Sequence, residues 1–94
     1  MPHLKSVIGN QGLEIKELRA FVLLAEHLHF GRTAKLLNLS QPALTKQIVQ
    51  LESFLGIPLF DRNRKGTRLT IFGQQFLKEA QAFMIHFEQL CQLG

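Results

Sequence analysis

The sequence is poor in cysteine and has no long apolar run, and each absence excludes a class of protein. Cys91 is the single cysteine among 94 residues, so the chain closes no internal disulfide, which fits a reducing compartment. No Cys/His framework with zinc spacing is present either. His27 and His29 stand two residues apart, which places them on different faces of a helix, and a zinc site takes about four convergent ligands; no metal is expected. No apolar stretch approaches the roughly 18 residues that a membrane-spanning helix needs. The first residues lack the continuous apolar stretch of a secretory signal. No carboxylate pair or nucleophile–base set stands out at catalytic spacing, so neither an enzyme nor a cofactor is expected. What remains is one soluble domain, expected in the cytoplasm and away from membranes. Its 46% hydrophobic fraction is ordinary for a chain that builds a single modest core.

The net charge is +4, but its position says more than its sum. Between Arg32 and Thr70 stand seven bases (Arg32, Lys35, Lys46, Arg62, Arg64, Lys65 and Arg68) against two acids, Glu52 and Asp61. The rest of the chain holds four bases and five acids. A positive excess confined to the middle of the chain suits a polyanion such as nucleic acid. A solubilising surface is the other use of such charge.

Residues 1–12 contain Pro2, Gly9, Asn10 and Gly12 without a sustained period and read as a flexible leader. From Glu14, the recurrence of Leu18, Phe21, Val22 and Ala25 on one face predicts a helix that fades between Glu26 and Leu28. Phe30 reads as a core anchor at the bend. A short second helix is expected from Gly31 to Leu37, with Ala34 and Leu37 inward. Ser40 is a good N-cap and Pro42 is pre-set for a first helical turn, so a third helix is expected from Gln41 to Leu55, stopped by Gly56 and Pro58. Leu44, Ile48, Leu51 and Leu55 fall on its buried face. Pro42, Thr45, Lys46, Val49 and Ser53 lie opposite, on a face that carries no acid.

Two short extended runs, 59–62 and 67–70, flank the polar turn Asn63-Arg64-Lys65-Gly66 and predict a β-hairpin. Leu59 or Phe60 and Leu69 are placed to pack inward while Arg62, Arg64, Lys65 and Arg68 project. Thr70 is placed to cap a last helix from Ile71 to Leu93, whose Phe76, Ala80, Phe83, Phe87 and Leu90 recur at heptad-like steps, with Phe72 one step earlier. The expected fold is therefore mainly α. Residues 13–70 form a winged helix-turn-helix of three helices and a two-stranded hairpin, and residues 71–94 form a long C-terminal linker helix.

Particular stretches sharpen this reading. They are Leu18-Arg19-Ala20-Phe21, Phe30 with Ala34, and Leu37 to Leu39. Further on come Ser40-Gln41-Pro42-Ala43-Leu44-Thr45-Lys46-Gln47-Ile48, Leu51-Glu52, Leu55-Gly56, Leu59-Phe60-Asp61-Arg62, and Leu69-Thr70 with Gly73. Over residues 13–93 the chain resembles the N-terminal DNA-binding domain of the LysR-type transcriptional regulators. The resemblance implies a recognition helix in the major groove of double-stranded DNA, a wing beside it, and a linker helix that forms homodimers. It also implies a C-terminal effector-sensing domain that is absent from this chain, so a small-molecule effector would act only through that absent part. Three positions depart from the family pattern. Leu28-His29 stands where a small or polar pair is usual, Asn38 where His is frequent, and Phe72 where a small residue is usual.

The N-terminal part of a recognition helix approaches base edges. Gln41 is placed to read a base, most naturally adenine, or to orient its neighbours. Pro42 and Ala43 offer apolar contact to a thymine methyl, and Thr45 and Lys46 reach the groove floor or its phosphate wall. Ser40 is chiefly a cap, with phosphate contact at the helix N-terminus as its second use. Arg32 and Thr33 are candidates for phosphate contact. Arg62 matches the family's wing arginine, Lys65 falls where a base is usual, and Arg64 and Arg68 are additional. In a narrow minor groove such arginines read shape. Phe72, Phe76, Ala80, Phe83, Phe87 and Leu90 are the expected dimer seam, unless the seam folds back on its own domain. The rival function is a winged-helix protein-interaction module without a DNA role. RNA binding is disfavoured because no aromatic base-stacking platform is visible.

Overall fold

The computed structural model describes residues 12–93; apart from Gly12, the leader expected over residues 1–12 lies outside the described residues. Helix α1 spans Ile15–His27, one residue later than the sequence pattern predicts, because Glu14 is its N-cap. The Glu14 backbone N–H donates to Glu17 Oε1 at 3.1 Å, so an otherwise orphaned helix-start amide finds an acceptor in the first turn. Leu18, Phe21, Leu24 and Ala25 form the buried face. The helix stops at Leu28, whose φ of 52° is left-handed and whose N–H donates to Leu24 O at 2.7 Å. That conformation costs a leucine about 1–2 kcal/mol.

Helix α2 spans Phe30–Leu36 and starts one residue before the predicted Gly31. The reason is His29, whose Nδ1 accepts the Arg32 backbone N–H at 2.9 Å, an N-cap made by an imidazole. Asn38, also left-handed at φ 57°, turns the chain toward Ser40. Helix α3 spans Gln41–Leu55, as the sequence predicts. Ser40 Oγ accepts from the Ala43 N–H at 3.2 Å, Leu44, Ile48 and Leu51 are buried, and Gly56 ends the helix at φ 76°, where glycine carries no Cβ penalty.

Strands β1 (Phe60–Asn63) and β2 (Gly66–Leu69) pair antiparallel, with Phe60 opposite Leu69 and Arg62 opposite Thr67. Both strands sit closer to the turn than predicted. Asn63 Oδ1 accepts the Lys65 N–H at 2.8 Å and shapes that turn. Leu59 stays outside the strand and is fully buried. Helix α4 spans Ile71–Cys91. Its hydroxyl cap Thr70 does two jobs: Oγ1 accepts from the Gly73 N–H at 3.0 Å and donates to Pro58 O at 2.8 Å. Gly73 is needed for close approach, since a Cβ there would lie 2.2 Å from the Leu59 carbonyl oxygen.

The core gathers around Phe21, which meets Phe60 at 5.4 Å and Phe76 edge-on at 5.1 Å between ring centroids. Leu24, Leu44, Leu51 and Leu59 complete it, and from α4 come Ala80 with the partly buried Phe76, Leu77 and Met84. This corrects the expected seam. Phe76 and Ala80 belong to the domain's own core, because α4 lies against α1, and the described residues share one core across the expected boundary at residue 70. Phe72, Phe83 and Leu90 remain exposed, and Phe83 stacks on the half-buried Phe87 at 6.1 Å. Among the described residues, no helix is long and apolar enough to cross a membrane.

Candidate nucleic-acid interface

Helices α2 and α3 form a helix-turn-helix around the short connection 37–40. The apolar positions of α3 turn Leu44, Ile48 and Leu51 into the core and so force the opposite face outward. Gln41, Pro42, Lys46, Val49, Gln50 and Ser53 are exposed there, with Ala43 and Thr45 half-buried at its edge. No acid stands among them. Glu52, the one acid of α3, is turned to the side and occupied: its Oε2 accepts the backbone N–H groups of Leu59 at 2.7 Å and Phe60 at 3.2 Å. Sequence reasoning missed that role. Its signal was an isolated acid one residue off the apolar stripe, just before a hairpin whose first amides need acceptors.

The hairpin carries Arg62, Arg64, Lys65 and Arg68, all exposed. Among the described residues the single ion pair is Lys16–Glu14 at 3.6 Å on the far side of the sequence from these bases. None of the seven bases between Arg32 and Thr70 is therefore neutralised by a carboxylate within 4.0 Å, not even Arg68, which stands opposite Asp61 in the strand register. An unneutralised cluster keeps its field available to an external anion. Arg64, Lys65 and Arg68 project as expected. Arg62 does not project in the same way: its guanidinium lies 3.8 Å from the centre of the Phe30 ring.

Two more predicted residues need restating. Thr33 is fully buried, with no partner for Oγ1 among the described residues. It sits three residues after Phe30 and beside Ala34 on the inward face of α2, so it cannot reach a phosphate at the surface, and its assignment as a phosphate contact is corrected. Ser40 holds the Ala43 amide and is committed to the cap. Gln41 is exposed and packs near Gly31, where a Cβ would stand 3.1 Å from Gln41 Nε2 and 3.1 Å from His29 Cε1. Arg32, one turn into α2, is exposed on the same side of the helix-turn-helix as Gln41.

A helix-turn-helix whose outer helix shows an acid-free face, with a basic hairpin beside it, defines a winged helix-turn-helix domain of the regulatory type. Residues 15–74 match the family described as bacterial regulatory helix-turn-helix protein, lysR family. The chain belongs to that family. It is 43% identical over 76 residues to the uncharacterized HTH-type transcriptional regulator YdcI of Escherichia coli (strain K12), covering 81% of this chain and 25% of that protein. It is 37% identical over 82 residues to the HTH-type transcriptional regulator AlsR of Bacillus subtilis (strain 168), covering 87% and 27%. Among solved structures it resembles the BenM DNA-binding domain in complex with catB site 1 DNA, with a TM-score of 0.83 and 32% identity over 86% of this chain and 91% of that one. The chain spans about a quarter of the length of these curated relatives.

Proposed function

We propose that this chain binds double-stranded DNA sequence-specifically, as the reading head of a transcription regulator. The observation that carries this is the exposed acid-free face of α3 beside a hairpin whose bases are tied to no carboxylate. An α-helix about 10–12 Å across fits a major groove about 12 Å wide. In that groove Gln41 and Lys46 read bases, Pro42 and Ala43 make apolar contact, and Thr45 reaches the floor or wall. Arg32 contacts the phosphate backbone, and Arg64, Lys65 and Arg68 serve a minor-groove wing. Ser40 keeps the helix start in place.

The exposed Phe72, Phe83 and Leu90 of α4, with the half-buried Phe87 beside them, support a homodimer. Phe72, Phe83 and Leu90 lie within about one twentieth of a turn of one another along the helix, and a stripe of that kind is covered in a stable protein. A two-fold pair then offers two α3 helices to half-sites about one helical turn apart. Effector sensing, where the regulator has it, belongs to sequence outside this chain.

The test is a mobility shift on duplexes selected from a random pool, repeated over a salt series. Binding should weaken with salt at about 0.9 units of log–log slope per phosphate neutralised, and the recovered sites should be two-fold symmetric. Salt-insensitive binding, or none, rejects the proposal in favour of a protein-interaction module.

A further inference from the structure

We infer that Arg62 is a positioning residue: stacked on Phe30, it clamps the hairpin to the start of α2 and sets the angle at which Arg64, Lys65 and Arg68 meet the DNA. The inference rests on the proposed DNA-binding function for its last clause and on the free protein for the rest.

The geometry is that of a cation on an aromatic face. The guanidinium carbon stands 3.8 Å from the Phe30 ring centre, well inside the roughly 6 Å over which a ring quadrupole attracts a cation. The ring is a firm platform. Phe30 is 7% exposed and meets Phe60 edge-on at 6.4 Å, and Phe60 in turn packs on Phe21 at 5.4 Å. Arg62 is thus the outermost member of an aromatic stack that reaches the centre of the core.

The position of the clamp matters as much as its strength. The hairpin's hydrogen bonds to the rest of the described chain end at its root: Glu52 accepts from Leu59 and Phe60, and Thr70 reaches Pro58 O. Arg62 lies two residues nearer the turn than Phe60. A pair of four-residue strands is marginal on its own, so a tie partway along decides whether the tip swings or holds one angle. An arginine used in this way cannot also insert freely into a groove, which separates Arg62 from the three bases that project.

The experiment uses the 94-residue chain and two substitutions that keep its charge. Arg62→Lys gives up the planar stack, and Phe30→Leu removes the ring. In the free protein, side-chain protons of Arg62 should be displaced upfield by the Phe30 ring current, and the displacement should vanish in Phe30→Leu. Backbone order over 63–66 should fall in both variants and not in Arg64→Lys. On a duplex of mixed sequence, each variant should bind about two- to fivefold more weakly, and the double variant no more weakly than either one. Arg62→Lys, a surface change, settles the matter alone should Phe30→Leu fail to fold. Unshifted Arg62 protons in the wild type, or Arg62→Lys with wild-type hairpin order and affinity, would overturn the clamp. If the wild type binds no duplex, the proposed function fails, while the ring-current and order measurements still decide for or against the clamp.

Discussion

Helices α3 and α4 are built from the same plan and finished differently. Each buries one stripe: Leu44, Ile48 and Leu51 from α3, and Gly73, Phe76 and Ala80 from α4. Each is opened by a hydroxyl cap, Ser40 and Thr70. The outer faces diverge. On α3 the exposed residues are short, polar or basic at the N-terminal end, and hydration is exchanged there for contacts with a polar surface. On α4 the exposed residues include Ile71, Phe72, Phe83, Ile85 and Leu90, which gain nothing from water and something from another apolar surface, at about 25 cal/mol per Å² covered. In each helix a buried stripe gives the fold, and the exposed residues are left free to meet a partner. The exposed residues of the two helices suit two different kinds of surface, one polar and one apolar.

That contrast can be broken at each face. The largest effect is expected from Phe83→Glu, which puts a charge in the middle of the α4 stripe. Sedimentation should show monomer, and affinity for a two-half-site duplex should fall by about 10²–10⁴ as the gain from linked binding is lost. The monomeric variant should still fold, because Phe83 is 43% exposed and lies outside the buried core. A persistent dimer would place the interface elsewhere. Next comes Gln41→Ala on the α3 face, expected to cost about 1–3 kcal/mol on a selected site and little on random DNA. Equal losses on both would make Gln41 an orienting group rather than a reader. The smallest expected effect is Ser40→Ala, which removes the cap and should cost about 1 kcal/mol of folding stability, measured by denaturant unfolding, while leaving sequence preference intact. A changed preference would mean that Ser40 also touches DNA.

The order and type of the elements were legible because their signals are local. Ser40-Gln41-Pro42 announces α3, Gly56 ends it at a left-handed φ, and the Asn63–Gly66 turn announces the hairpin. Three features were hidden for different reasons. Thr33 reads as polar and accessible until its spacing from Phe30 and Ala34 is taken literally, and that spacing carries it into the core. Phe76 and Ala80 share a heptad-like step with Phe83 and Phe87, but Phe76 and Ala80 pack into the domain's own core while Phe83 stays exposed, a tertiary fact that no period encodes. His29 is not a typical N-cap residue, yet its Nδ1 stands where Ser or Asp usually places an oxygen. The candidate site was legible in its residue types and illegible in its ties. Glu52 read as an acid off to one side and Arg62 as a wing arginine for DNA; in the fold Glu52 holds the first amides of the hairpin and Arg62 stacks on Phe30.

The Thr70 hydroxyl has a consequence for distance rather than for strength. By bonding Pro58 O on one side and the Gly73 amide on the other, it locks the start of α4 to the segment that leaves α3. Two copies joined along their outer α4 stripes would then behave as a calliper with a fixed opening. The separation of their reading heads would be set by the packing of α4 on the core and by that hydroxyl, leaving the DNA, rather than the protein, to bend when a site is spaced wrongly.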